Sequence, residues 1–359
     1  MTNFPKTGRF IGFNKHILFI TPGFPADEQD TQCIPALHIY AKALKESGTQ
    51  VSIISIHYPY KSKPYQWNGI AVYPLNGANK KWKLPLLTNK MLSTAKKIHK
   101  ERPVAVVHAF WLHRATLLAE KVSKSLQVPL VATAMGQEMR NPNRLFQRWE
   151  EAKFPIVSLS KYQENALKKR GVIPTDIIAW GVEEKRSSTK TIDLICVGSL
   201  IPLKNPQYFL ELCSQLKEQM PHFQARMVGD GPQRDLLEQR IKALGLIDNV
   251  QLLGSLPYAE TQAIIAQSKV LVHASEFEGF GMIVIEAMAS ETHVLSTPVG
   301  IAQSLEIPQL IGDAPLDAAM VQMLLKSERP VAKLFAVSDT VHAYQTIYAS
   351  VSRERAIDS

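Results

Sequence analysis

Short apolar runs alternate along this chain with segments whose apolar residues recur every three or four positions. His16–Thr21 is a β-rich apolar run, followed by a loop with Pro22, Gly23 and Pro25 and by a helical pattern from Ile34 to Glu46 that stops at Gly48. Val51–Ile56, Val104–His108, Leu130–Ala134 and Ile156–Ser158 read as further buried strands, with a helix predicted over Thr116–Leu126. The pattern then restarts. Strands at Asp193–Val197, Gln224–Val228, Val250–Leu253, Val270–Ala274 and Val294–Thr297 alternate with helices over Asn205–Gln219, Gln233–Leu244, Tyr258–Gln267 and Met282–Ala289. Alternation of this kind predicts an α/β protein with two Rossmann-like, doubly wound domains whose carboxyl-end loops face a cleft. The polar, aperiodic stretch Glu183–Lys190 reads as the linker. The expected division is 1–182 as a first domain, 183–336 as a second, and 337–359 as a C-terminal helix crossing back to the first.

Length and charge refine this picture. A chain of 359 residues, 45% hydrophobic and 20% charged, suits two soluble domains. No apolar run approaches the roughly 18 residues of a membrane span. Met1–Lys15 is polar and broken by Pro5, Gly8 and Gly12, so it is expected to be a loose leader and not a signal peptide. Residues 1–180 hold 26 Lys and Arg against 11 Asp and Glu, whereas the remainder is net acidic. The basic residues Lys80, Lys81, Lys83, Lys90, Lys96, Lys97, Lys100 and Arg102 are interleaved with Trp82, Leu84, Leu86 and Leu87. This composition suits peripheral contact with an anionic membrane, and equally a solvated helix face. No nucleic-acid module is recognisable, so nucleic acid is not an expected partner. Cys33, Cys196 and Cys213 match no zinc or redox spacing and are expected to be buried thiols in a reducing cytoplasm.

The segment from Ser275 to Ala289 carries the clearest chemistry. A strand feeds a turn with Gly279 and Gly281, and the turn opens a helix. Backbone N–H groups at a helix start attract anions and hydroxyl oxygens. Glu278 and Glu286 add two carboxylates that accept hydroxyl hydrogen bonds, as a sugar or ribose diol requires. Without a ligand, the same acids would simply favour the positive end of the helix. Val197–Pro206 places Gly198, Ser199 and Lys204 between a strand and a helix, where an ammonium suits a diphosphate. Gly229-Asp230-Gly231-Pro232 lacks the third glycine of a dinucleotide fingerprint and reads as a tight turn. There is no P-loop, no D-x-D pair in a strand-end loop and no histidine cluster at metal spacing, so no metal is expected.

These segments together resemble the retaining GT-B glycosyltransferases, and E-G-F-G…E-A-M-A resembles family 4 of that class. The resemblance implies that Glu278 and the amides of Gly279, Phe280, Gly281 and Met282 hold a donor sugar. It implies that Glu286, Gly198, Ser199 and Lys204 hold the nucleotide, with Glu278 and Lys204 closest to the chemistry. Ser199 stands where the family usually has Arg. Acceptor-side candidates are His108 and Trp111, in a segment similar to H-A-x-W, together with Gly136, Glu138 and Gly23. Met135 replaces a histidine that commonly touches the sugar. Glu291 and His293 replace a common glycine and proline, and Trp180 an asparagine. The expected function is hexosyl transfer from a nucleotide-sugar to a glycan, lipid-linked or small-molecule acceptor, with no cofactor beyond the substrate itself. A nucleotide-sugar epimerase and a non-catalytic nucleotide-sugar-binding subunit are the alternatives.

Overall fold

A computed structural model describes residues 13–80, 84–139, 145–182, 187–331 and 335–357. In chain order the elements are β1 (His16–Gly23), α1 (Pro35–Glu46), β2 (Gln50–Tyr58), β3 (Tyr65–Trp67), β4 (Ile70–Pro74), α2 (Leu84–Glu101), β5 (Val104–Phe110), α3 (Arg114–Leu126), β6 (Leu130–Thr133), α4 (Phe146–Trp149), β7 (Ile156–Ser158), α5 (Lys161–Lys168) and β8 (Asp176–Ile177). They continue with β9 (Ile192–Val197), α6 (Pro206–Gln219), β10 (Ala225–Val228), α7 (Arg234–Ala243), β11 (Val250–Gly254), α8 (Tyr258–Gln267), β12 (Ser268–His273), α9 (Met282–Ala289), β13 (His293–Ser296), α10 (Ala314–Lys326) and α11 (Val337–Ile357). Among the described residues, 13–158, 167–178 and 337–357 form one unit, and 159–166 with 179–336 form the other.

The first unit is built on a sheet of order β3-β4-β2-β1-β5-β6-β7-β8, parallel except for the antiparallel β3. Its central strand β1 is buried from His16 to Thr21, as a parallel strand covered on both faces must be. The second unit is an all-parallel sheet of order β11-β10-β9-β12-β13. Chain direction across it reverses between β9 and β12, the crevice where open α/β sheets bind ligands. Its core packs Leu194, Val270, Val272 and Leu295 of the strands against Phe209, Leu210, Cys213 and Leu216 of α6.

The alternating pattern locates most strands within two residues, and several elements lie outside it. The β3–β4 hairpin turns on Asn68 (φ 44°) and Gly69 (φ 69°), both in the positive-φ region that a tight two-residue hairpin needs. That Asn-Gly pair is its signal in the sequence. Helix α2 hides an apolar stripe of Leu87, Met91, Ala95 and Ile98, all buried, among surface lysines. Helix α10 starts where the Asp313 side chain accepts from the Leu316 N–H at 3.1 Å. Helix α11 fills Val337–Ile357 of the expected 337–359.

In the first unit α11 is held by a buried polar chain. Tyr40 Oη lies 2.8 Å from Tyr348 Oη, which lies 2.6 Å from His108 Nδ1. His108 Nε2 is 2.8 Å from Thr133 Oγ1, itself 2.8 Å from Tyr344 Oη. Gln345 Nε2 donates to Thr49 Oγ1 at 3.0 Å and to Ser47 Oγ at 2.9 Å. The expected linker is partly anchored: Lys190 Nζ donates to the Ser290 carbonyl and to Thr292 Oγ1, each at 2.8 Å. Residues 183–186 lie outside the described residues. Of the three cysteines only Cys213 is fully buried; Cys33 and Cys196 are half-buried at loop and strand ends, so the buried-thiol reading needs correcting for these two.

Candidate active site

Two loops of the second unit meet at the carboxyl ends of β9 and β12. The first leaves β9 at Gly198 and turns through Pro202–Lys204 into α6. The second leaves β12 at His273 and reaches α9 through Gly281 (φ 93°). The Glu276 N–H donates to the Leu203 carbonyl at 2.9 Å and ties them together. Two other glycines let this packing occur. A Cβ on Gly229 would lie 1.9 Å from the Gly198 carbonyl oxygen, and one on Gly300 (φ 57°) 2.2 Å from that of Phe280. Gly229-Asp230-Gly231-Pro232 therefore serves as a tight turn beneath the first loop.

Lys204 and Glu278 are brought together as an ion pair, Nζ on Oε1. The same carboxylate oxygen lies 3.0 Å from His273 Nε2. Burial pushes the Glu278 pKa up, but the His273 hydrogen bond and the Lys204 charge overcome this and hold it at about 2. The carboxylate is therefore ionised across the physiological range. His273 is buried, and its Nδ1 lies 2.9 Å from Ser296 Oγ on the neighbouring strand. Gly198, Ser199, Lys204, His273 and Ser275 line one small pocket, and the buried Ser275 Oγ has no hydrogen-bond partner among the described residues. Ser199 is exposed. Gly281 at the N-cap has no side chain to cap α9, which leaves the amides of Met282 and Ile283 to a ligand. Phe280 is buried, and its carbonyl accepts from Ile301 N–H at 2.6 Å, so its side chain belongs to the loop's packing. Gly279 and Met282 are half-buried, and Gly281 is buried. Glu286, buried inside α9, accepts from Tyr258 Oη at 3.1 Å. An ammonium, a helix start and a hydroxyl at one crevice suit an anion such as a diphosphate. Motif reading missed Tyr258 and Ser296, whose partners Glu286 and His273 lie 28 and 23 positions away in sequence, and it did not single out His273, five positions before Glu278, or Ser275.

The acceptor-side candidates fare less well. His108 is fully buried, and burial drives its pKa down to about 3; it is a neutral member of the α11 chain and cannot border an acceptor. Glu138 is buried and turned inward, accepting from the N–H groups of Leu112 at 3.1 Å and of Met135 and Gly136 at 2.7 Å. It organises a loop and is not displayed to a substrate. Gly23 is buried beside Cys33 and Tyr58. Gly136 is buried at φ 127°. Trp111 alone of the five is half-exposed, at φ 71° just past β5 with its ring stacked on His113. In the basic segment, Leu87 is a core residue, whereas Leu86 is 67% exposed on α2, the helix that also carries Lys90, Lys96, Lys97 and Lys100. Lys81, Trp82 and Lys83 lie outside the described residues.

Residues 26–167 match the family described as glycosyl transferase 4-like, and residues 182–312 that described as glycosyl transferases group 1. The chain carries both of these glycosyltransferase domains. Anabaena Alr3699/HepE, solved with UDP and glucose, is similar over 96% of this chain and 99% of its own, with TM-score 0.68 and 16% identity. A glycosyltransferase from Rickettsia africae covers 94% and 99% respectively, with TM-score 0.71 and 16% identity. Likeness at that identity defines the fold, which is GT-B. Among curated relatives, the phosphatidylinositol N-acetylglucosaminyltransferase GPI3 subunit of Saccharomyces cerevisiae is 29% identical over 33% of this chain, which spans only 26% of that subunit's length. A glycosyltransferase of Methanocaldococcus jannaschii, MJ1178, is 23% identical over 57% of this chain and 59% of its own. Lys204, Glu278 and Glu286 of this GT-B chain all fall within the group 1 domain. Among its described residues, no helix is long and apolar enough to cross a membrane.

Proposed function

We propose that the protein transfers a hexosyl unit from a nucleotide-sugar with retention of anomeric configuration, without a metal. The observation that carries this reading is the Lys204–Glu278 pair at the uncapped start of α9, with Glu286 one helix turn beyond. Cleaving a sugar–phosphate bond develops positive charge on the sugar and negative charge on the departing diphosphate. Lys204, the Ser199 and Ser275 hydroxyls and the α9 amides stabilise the diphosphate as preorganised donors. Glu278, ionised at working pH, accepts from a hydroxyl of the donor sugar. Glu286 accepts from the ribose diol. The departing phosphate oxygen takes the proton of the acceptor hydroxyl as the new glycosidic bond forms on the face it leaves. The bond broken is anomeric carbon to phosphate oxygen, the bond formed is anomeric carbon to acceptor oxygen, and no protein base is needed. A uridine nucleotide is the first candidate, since the Anabaena neighbour was solved with UDP-glucose.

The acceptor side is proposed more broadly: Trp111 borders it, and the acceptor is a glycan or lipid-linked. The basic face of α2 with its exposed Leu86 supports peripheral contact with an anionic membrane at its cytoplasmic face, and the name of the yeast relative points to a lipid acceptor there. The test is titration calorimetry of the chain with UDP, GDP and ADP and their hexosyl derivatives in EDTA, followed by donor turnover. Binding of one nucleotide family, weakened at least about tenfold by Glu286→Ala, is expected. Unchanged affinity in that variant removes the assigned role of Glu286, and total loss of turnover in EDTA overturns metal independence. Epimer formation from donor alone would favour an isomerase instead.

A further inference from the structure

Glu278 Oε1 accepts two hydrogen bonds in the ligand-free protein, from Lys204 and from His273. Resting on the nucleotide-sugar reading above, a diphosphate draws the Lys204 ammonium toward itself. Glu278 would then stay ionised at a site where its side chain is only 13% exposed. A buried carboxylate stripped of its partner either protonates or swings out to water. We propose that His273 is the positioning residue that prevents this: its Nε2–H holds the Glu278 carboxylate ionised and fixed toward the donor sugar while Lys204 turns to the diphosphate.

The proton inventory supports the direction of that bond. An ionised carboxylate only accepts, so Nε2 must carry the hydrogen. On the other side of the ring Ser296 Oγ lies 2.9 Å from Nδ1 and 2.9 Å from the Thr297 carbonyl. Its single hydrogen serves one or the other. In the first arrangement Nδ1 accepts and the ring is neutral; in the second both ring nitrogens donate. Both leave Nε2–H aimed at Glu278. The ring itself is fixed, because His273 and Ser296 are buried and directly paired across β12 and β13. Lys204, in contrast, has a side chain 28% exposed on a loop, and so has the freedom to change partner. The two donors to one carboxylate thus divide the work, one anchored in the sheet and one released to the ligand.

The experiment uses the full chain with His273→Leu, which removes the donor, and His273→Gln, whose amide nitrogen reaches in the same direction. UDP and UDP-glucose are the probes, titrated against each form. In wild type, the absence of binding by either probe and by the other nucleotide families would count against the proposed function. For the inference, the readout is the affinity gained by adding the sugar to UDP. His273→Leu is expected to lose roughly 10- to 100-fold of the sugar's contribution, taken relative to that variant's own UDP affinity, and His273→Gln to recover most of it. An undiminished sugar contribution in His273→Leu overturns the proposal. A second measurement needs neither ligand nor a stable leucine variant: nitrogen-15 NMR of the ring should show Nε2 protonated, with its proton moving on Glu278→Gln. An unprotonated Nε2 would overturn the proposal on its own.

Discussion

His108 offers a sharp quantitative test of how the first unit is held together. It sits at 0% exposure between Tyr348 and Thr133, and burial lowers its pKa from 6.5 to about 3. In the unfolded chain the ring returns to about 6.5. Between these values the unfolded state binds the extra proton and the folded state does not, so stability rises with pH across that window. The contribution is complete above about pH 6.5 and is lost as pH falls toward 3. Between pH 8 and pH 5 the loss amounts to about 2 kcal/mol from this residue. The perturbation is His108→Gln, which keeps a donor and an acceptor but cannot titrate. At pH 8 the variant should be less stable by about 1–3 kcal/mol, because at least one of the neighbouring hydroxyls loses its partner. At pH 5 that deficit should shrink by about 2 kcal/mol, because only wild type suffers the histidine penalty. The assay is urea unfolding followed by tryptophan fluorescence at both pH values; Trp67, Trp111 and Trp149 all report on this unit. His113, whose pKa burial also lowers, to about 4, contributes equally in both proteins and cancels. Parallel loss of stability in the two proteins would refute the reasoning.

Three further outcomes are expected. Lys204→Met should weaken UDP binding by at least about tenfold and remove much of its salt dependence, measured by calorimetry at two ionic strengths; unchanged affinity would place the diphosphate elsewhere. Gly300→Ala adds a methyl against the Phe280 carbonyl at a positive φ, so it should cost about 2–4 kcal/mol by urea unfolding and displace the Glu278 loop, and a well-folded, fully binding variant would contradict the packing. Glu291 occupies a left-handed position (φ 53°) after α9, supported by Ser187 Oγ at 2.8 Å. Glu291→Gly relieves the strain and loses that bond, so its melting temperature should stay within a few degrees of wild type, and a large drop would show the carboxylate to matter more than the backbone.

Sequence alone determined the repeated strand–helix architecture, because a parallel strand buried on both faces must be a short apolar run and its covering helix must carry an apolar stripe. It also determined which loop residues bear charge and which glycines open α9, since the Glu278…Glu286 spacing and the Lys204 loop are local features. The tertiary structure decided what those groups touch. His273 lies five residues before Glu278, but its orientation comes from Ser296 on the next strand. Tyr258 reaches Glu286 from another helix. His108 reads as a strand-end histidine beside Trp111, but α11 returns from 240 residues away to bury it. Partners of this kind are chosen by sheet order and helix packing, which bring distant segments together, and no local pattern encodes which segment arrives.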